Sequence, residues 1–156
     1  MTSIATLGSH CALQVLKGAK DEGFKTILVC ENKRESLYRR FQFIDEYVLV
    51  DSFKEVLDQK CSNILQENNA VIIPHGTLIA QMSSSEIESI KTPIFGNKWI
   101  LRWESDRNMK EKLMVESKLK IPRSLQGPSD IKGLTIAKRH GAAGGKGYFL
   151  ATNEED

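Results

Sequence analysis

Three stretches of this sequence combine the residue types that handle anions and small ligands. Gly8-Ser9-His10 and Pro74-His75-Gly76-Thr77 each bring together an imidazole, a hydroxyl and a glycine. A residue without a Cβ lets a ligand approach the backbone closely. The third stretch runs from Lys138 through His140, Gly141, Gly144, Gly145 and Lys146 to Gly147. Glycines of this density can wrap N–H groups around a phosphate, as in any anion nest. Lys138 and Lys146 would add point charges against it. The loop is not a Walker motif, because Lys146 is followed by Gly147 rather than Ser or Thr, and it contains no G-x-G-x-x-G. The plainer alternatives are helix-capping roles for Ser9 and Thr77, solvated turn histidines, and an ordinary long hairpin loop.

A structural zinc site is not expected from the cysteine and histidine spacings. Cys11, Cys30 and Cys61 are odd in number and form no C-x-x-C, and His10, His75 and His140 form no H-x-x-x-H. Buried, reduced thiols are the expectation, without disulfide or structural zinc.

These turns need elements to position them. The chain has 156 residues, of which 40% are hydrophobic and 27% charged. That is enough apolar material for a packed core and excludes a disordered tail. The 22 basic and 20 acidic residues leave a net charge of +2. A nucleic-acid groove would need a stronger and more clustered basic excess, so no nucleic-acid partner is expected. No apolar run approaches the roughly 18 residues of a membrane span. The opening MTSIATLGSH lacks a basic n-region. A soluble, cytoplasmic protein is predicted.

Short apolar runs alternate with helical patterns up to about residue 95. Ile4–Leu7, Thr26–Cys30, Tyr47–Val50 and Ala70–Ile73 read as buried strands, and Thr92–Phe95 as a fifth strand or edge segment. A helix from Ala12 carries Leu13 and Leu16 and closes at Gly23. Ser52 and Glu55 form a capping box for another, with Phe53, Val56, Leu57 and Leu65 along it and Asn68-Asn69 at its end. Strands and helices in this alternation predict an α/β fold with a Rossmann-like parallel open sheet, although strand order is not readable. In such sheets ligands bind beyond the carboxyl ends of the strands. Both polar turns sit at such ends, each ahead of a helix N-terminus that favours a phosphate or carboxylate.

After Phe95 the alternation breaks. Asp106 is expected to cap a helix beginning Arg107-Asn108-Met109, continued by Leu113 and Met114 and ended by Leu119–Pro122. Trp99 and Trp103 read as an apolar stripe docking this region. Leu134–Lys138 and Gly147–Ala151 read as two strands. A P-loop runs from strand to helix, whereas this glycine-rich loop runs from strand to strand, so it reads as a flexible hairpin flap.

A lysine ending a strand, a glycine-rich flap and an aromatic strand, all after a Rossmann-like domain, resemble the nucleotide-binding hairpin of ATP-grasp ligases. IATLGSH, VIIPHGT, FGNKWILRWESDR and KRHGAAGGKGYF together resemble the archaeal formate-dependent 5-formaminoimidazole-4-carboxamide ribonucleotide synthetases, from about Ile4 to Ala151. The resemblance implies a pre-ATP-grasp domain over residues 1–97, then a helical linker and the incomplete start of an ATP-grasp domain over residues 98–156. It implies an ATP- and formate-dependent ligase that formylates 5-aminoimidazole-4-carboxamide ribonucleotide in purine (IMP) biosynthesis. The route would pass through formyl phosphate, with Mg²⁺ or Mn²⁺ helping to neutralise phosphate charge.

By the same resemblance His10 and Thr77 contact the ribonucleotide, with serine the usual residue at the Thr77 position. Lys138, Gly144, Gly145, Lys146 and Gly147 hold ATP, and Asp106-Arg107 stands where many ATP-grasp enzymes carry an Asp-Lys pair. Family members form homo-oligomers. The resemblance also carries departures. A short helical segment that family members have ahead of the first strand is missing, and the sequence given stops at Asp156, just after the flap. The adenine-enclosing segment and the acidic metal ligands are expected beyond it. Glu154-Glu155-Asp156 read as a frayed tail, and the isolated chain is expected to be inactive. The competing reading is a stand-alone Rossmann-like module that binds a phosphorylated small molecule without catalysis.

Overall fold

The computed structural model describes residues 1–138 and 147–156. They fall into two compact units, Met1–Trp99 and Ile100–Asp156. In the first, β1 (Ser3–Leu7), β2 (Lys25–Glu31), β3 (Glu46–Val50) and β4 (Ala70–Ile72) form one sheet in the order β3-β2-β1-β4. Every pairing in it is parallel. Thr26–Cys30 of β2 are all buried, as expected of an inner strand covered on both faces, which reads in sequence as a continuous apolar run.

The connections follow from local chemistry. α1 (Ala12–Asp21) joins β1 to β2 and ends where Gly23 takes φ +81°. There the Gly23 N–H donates to Lys20 O at 3.0 Å and the Phe24 N–H to Ala19 O at 2.9 Å. This pair of bonds is a Schellman motif, which satisfies the last carbonyls of the helix. Ala12 and Leu16 on the inner face of α1 pack with Leu28, Cys30, Tyr38 and Ile44. A 3-10 turn (Asn32–Arg34) and the short α2 (Glu35–Tyr38) connect β2 to β3. Cys30 and Cys61 are buried free thiols, and Cys11 is half-buried. Burial, with Asp58 nearby, pushes the Cys61 thiol up to about 11, which keeps it protonated and unreactive.

Two expected elements differ. The Ser52–Glu55 capping box is present, but it opens a 3-10 turn, Phe53–Leu57, rather than a long helix. Asp58 is extended (φ −73°, ψ 147°), and α3 (Gln59–Glu67) starts afresh after it. After β4 come α4 (Gly76–Gln81) and α5 (Ser84–Ser89). The fifth strand contracts to a single parallel bridge, Ile72 to Ile94. Its hydrogen bonds are Ile72 N–H to Pro93 O and Phe95 N–H to Ile72 O, both 2.8 Å. Pro93 has no N–H with which to extend a ladder.

The second unit contains α6 (Ile100–Ser105), α7 (Arg107–Glu116), and the strands β5 (Thr135–Lys138) and β6 (Tyr148–Ala151). β5 and β6 pair antiparallel, with Lys138 opposite Tyr148 and Thr135 opposite Ala151, so the glycine-rich segment does connect strand to strand. Asp106 caps α7 as expected, its carboxylate accepting from the N–H groups of Asn108 (2.9 Å) and Met109 (3.0 Å). Asp106→Ala is expected to cost about 1 kcal/mol, measured as a lowered urea midpoint with the slope unchanged. α7 ends earlier than Leu119–Pro122, at Ser117, with Lys118 at φ +58°. Trp99 does not dock as a buried stripe residue: it is 57% exposed, with the Lys98 ammonium 5.6 Å from its ring. Of the three C-terminal acids, Asp156 is tied down rather than frayed. It accepts from the Thr152 N–H (2.5 Å) and hydroxyl (2.7 Å), which closes a turn.

Candidate functional site

The strand order locates the site. From β1 the chain steps to β2 and then β3 on one side, and returns to place β4 on the other side of β1. The topological switch point therefore lies between β1 and β4, where open α/β sheets bind their ligands. Gly8-Ser9-His10 follows β1, and Pro74-His75-Gly76-Thr77 follows β4. The two polar turns are neighbours.

Side chains tie them together. Across the strands the Ile73 N–H donates to Ala5 O (2.8 Å) and the Thr6 hydroxyl to Ile73 O (3.0 Å). The hydroxyls of Ser9 and Thr77 share a hydrogen bond at 2.5 Å. One proton of the pair is consumed in that bond, so the other remains to be donated. Ser9 and Thr77 do not act as helix caps; Cys11 and His75 occupy those positions. Thr77 is 7% exposed, whereas His10 is exposed on the same edge. The imidazole of His10 is thus open to solvent, while the Ser9 and Thr77 hydroxyls lie below the surface.

His75 is not a solvated turn residue. Its Nδ1 accepts from the Thr77 N–H at 3.3 Å, which places the ring proton on Nε2, 3.0 Å from Leu7 O. The neutral Nε2–H tautomer satisfies both contacts at once. Burial holds its pKa below the ordinary imidazole value; the facing His10 adds to the drop, and the bond to Leu7 O opposes it.

The β1 turn is braced from its other side. The Gly8 N–H donates to Val29 O at 2.7 Å. A Cβ on Gly8 would lie 3.2 Å from the Tyr38 ring and 3.3 Å from Val29 O, so this position is glycine because of close approach. The Tyr38 hydroxyl, buried with its ring, donates to Ser9 O at 3.0 Å. Tyr47 in turn donates to Tyr38 O at 2.9 Å, and the Arg39 guanidinium lies 4.0 Å from the Tyr47 ring centre. Sequence reading missed Tyr38. It belongs to a four-residue helix too short to show periodicity, and the only available signal was an aromatic residue inside the charged run Lys33–Arg40.

The expected anion preference at the two helix starts is uneven. α1 has ten residues but α4 only six, too few for a strong aligned dipole. In the second unit Lys138 is exposed at the end of β5, and Gly147 takes φ +81° at the start of β6. Gly144, Gly145 and Lys146 lie outside the described residues. Arg107 donates to Lys138 O at 3.4 Å, while the Asp106 carboxylate is engaged in capping. Among the described residues no group of three or more His, Cys, Asp or Glu could hold a metal ion. Among them, too, no helix is long and apolar enough to cross a membrane.

Comparison with known proteins gives consistent likenesses. The IMP biosynthesis protein PurP from Thermococcus kodakaraensis superposes with a TM-score of 0.61 at 27% identity, covering 86% of this chain and 39% of that one. N5-carboxyaminoimidazole synthetase from Staphylococcus aureus superposes with a TM-score of 0.69 at 17% identity, covering 99% of this chain and 41% of that one. The second likeness shows the fold, an α/β arrangement with a parallel sheet. In sequence, the 5-formaminoimidazole-4-carboxamide-1-(beta)-D-ribofuranosyl 5'-monophosphate synthetase of Nitrosopumilus maritimus is 74% identical over 156 residues, 100% of this chain and 46% of that protein. Its namesake in Methanocaldococcus jannaschii is 43% identical over 155 residues, 99% of this chain and 43% of that protein. The chain thus spans less than half the length of the curated relatives it matches. Residues 4–125 match the family described as Protein of unknown function (DUF1246), and the chain belongs to that family.

Proposed function

We propose that this chain is the ribonucleotide-binding part of an ATP- and formate-dependent ligase that formylates 5-aminoimidazole-4-carboxamide ribonucleotide. The observation that carries the proposal is the 74% identity, along the whole chain, to a synthetase named for the 5-formamino ribonucleotide. The arrangement of the two turns at the switch point supports it. In the reaction formate oxygen attacks the γ-phosphorus of ATP, giving formyl phosphate and ADP. The 5-amino nitrogen then attacks the formyl carbon, the C–O bond to phosphate breaks, and the amine loses a proton. Formamide product and inorganic phosphate result.

In this reading His10 and Thr77 hold the ribonucleotide. The exposed imidazole offers a donor or acceptor to it, and the Ser9–Thr77 hydroxyl pair offers its remaining proton. Holding the amine in place converts a bimolecular encounter into a positioned attack. Lys138 and the segment Gly144, Gly145, Lys146 and Gly147 hold ATP, with Lys138 supplying positive charge at the strand end. Among the described residues no set is fitted to Mg²⁺ or Mn²⁺. The domain division at residue 97 and assembly into homo-oligomers belong to the same proposal.

Calorimetric titration with the aminoimidazole carboxamide ribonucleotide tests it, with inosine as a control lacking the phosphate and the free amine. Saturable one-to-one binding of the ribonucleotide, absent with inosine, is the expected result. No binding heat from a folded chain would overturn the assignment of the switch point.

A further inference from the structure

His75 makes two hydrogen bonds that belong to different turns. Through Nδ1 it caps α4, accepting from Thr77 N–H; through Nε2 it reaches back 68 positions in sequence to Leu7 O, the last carbonyl of β1. Leu7 immediately precedes the Gly8-Ser9-His10 turn, and Thr77 carries the hydroxyl bonded to Ser9. Beyond the β1–β4 bonds of Ala5, Thr6 and Ile73, one ring therefore spans from the backbone of one turn to the backbone of the other. The Ser9–Thr77 bond depends on that spacing, because each of these side chains is short and mounted directly on one of the two turns.

We propose that His75 is a positioning residue of this site, an imidazole cross-link that holds the β1 and β4 turns at the separation the ligand requires. The proposal rests on the ribonucleotide reading of the switch point, and it assigns His75 no contact with the ligand. Its two nitrogens separate two roles that amide side chains can mimic singly. Asparagine places an amide oxygen near the level of Nδ1 and is among the preferred N-cap residues. It keeps the cap and loses the reach to Leu7. Glutamine carries an amide N–H out to the level of Nε2, keeping the cross-link while capping poorly.

The test is calorimetric titration of the 156-residue chain with the aminoimidazole carboxamide ribonucleotide, together with thermal melting and amide hydrogen exchange, for wild type, His75→Asn and His75→Gln. His75→Asn is expected to melt within a few degrees of wild type, to bind roughly tenfold more weakly, the loss of one positioning hydrogen bond, and to exchange its Ser9 and Thr77 amides faster. His75→Gln is expected to keep affinity within about threefold and those exchange rates near wild type, with a lowered melting temperature reflecting the weaker cap. A mere capping role predicts the reverse pattern. Wild-type affinity in His75→Asn, or equal losses in both variants, would overturn the cross-link. If the wild type itself fails to bind, the ribonucleotide reading falls. The exchange rates then decide the cross-link alone: unchanged rates in His75→Asn refute it, and faster rates restored by His75→Gln uphold it.

Discussion

His10→Ala is expected to weaken ribonucleotide binding by about tenfold to a hundredfold while leaving the fold intact. The loss of a hydrogen bond to a charged or strongly polar ligand is worth about 1.5–3 kcal/mol, and each 1.4 kcal/mol is roughly a factor of ten in affinity. The fold should tolerate the change because His10 is exposed and, among the described residues, no protein group bonds its ring. Surface substitutions of that kind usually fall within about 0.5 kcal/mol. Calorimetry and a melting curve read the two quantities separately. Unchanged affinity would remove His10 from the site, whereas a large drop in melting temperature would make it a structural residue.

Gly8→Val should damage stability and binding together. Its Cβ would sit 3.2 Å from Tyr38 Cε2 and 3.3 Å from Val29 O, and two further methyl groups must be placed beyond it. Val29 O cannot readily retreat, because it belongs to an inner strand and accepts the Gly8 N–H at 2.7 Å. Tyr38 is packed in the core and bonded to Ser9 O. Overpacking of this sort costs about 1–3 kcal/mol, or roughly 2–12 °C in melting temperature at this size. The displaced turn would carry Ser9 away from Thr77 and cut ribonucleotide affinity. Gly18→Ala is the matched control. Gly18 lies in α1, and nothing lies within 4 Å of an added Cβ there. It should stabilise the chain by about 0.5–1 kcal/mol and leave binding unchanged. Equal melting of Gly8→Val and wild type, measured side by side, would show that the turn is not close-packed.

Much of the scaffold is legible because it is locally encoded. The strands announce themselves as short apolar runs, Gly23 as the left-handed residue ending α1, and Asp106 as a cap two and three residues ahead of the N–H groups it accepts from. The Ser52–Glu55 box fixed a beginning but not a length, since nothing in the pattern revealed that Asp58 would be extended. Thr92–Phe95 carried β propensity, but Pro93 and its edge position limited it to one bridge. Trp99 and Trp103 have helical spacing, which speaks of a stripe only if both lie on one packed helix; Trp99 precedes α6 and is exposed.

The candidate site was half legible. Its two turns stood out by composition, and the rule that ligands bind beyond strand ends placed them on one sheet edge. That they adjoin depends on β4 pairing with β1, a long-range choice that no local pattern carries. For the same reason the bonds of His75 to Leu7 and of Ser9 to Thr77 were out of reach. Tyr38 was missed because it acts through a single long-range hydroxyl bond from a helix only one turn long.

In the proposed function the ribonucleotide sits between the turns following β1 and β4. Amide shift mapping by nuclear magnetic resonance, on the chain titrated with the aminoimidazole carboxamide ribonucleotide, tests it most directly. Saturating shifts are expected, centred on Gly8, Ser9, His10, Gly76 and Thr77, with little change in β5 and β6. Saturating shifts centred on the β5–β6 hairpin, with the two turns silent, would contradict it.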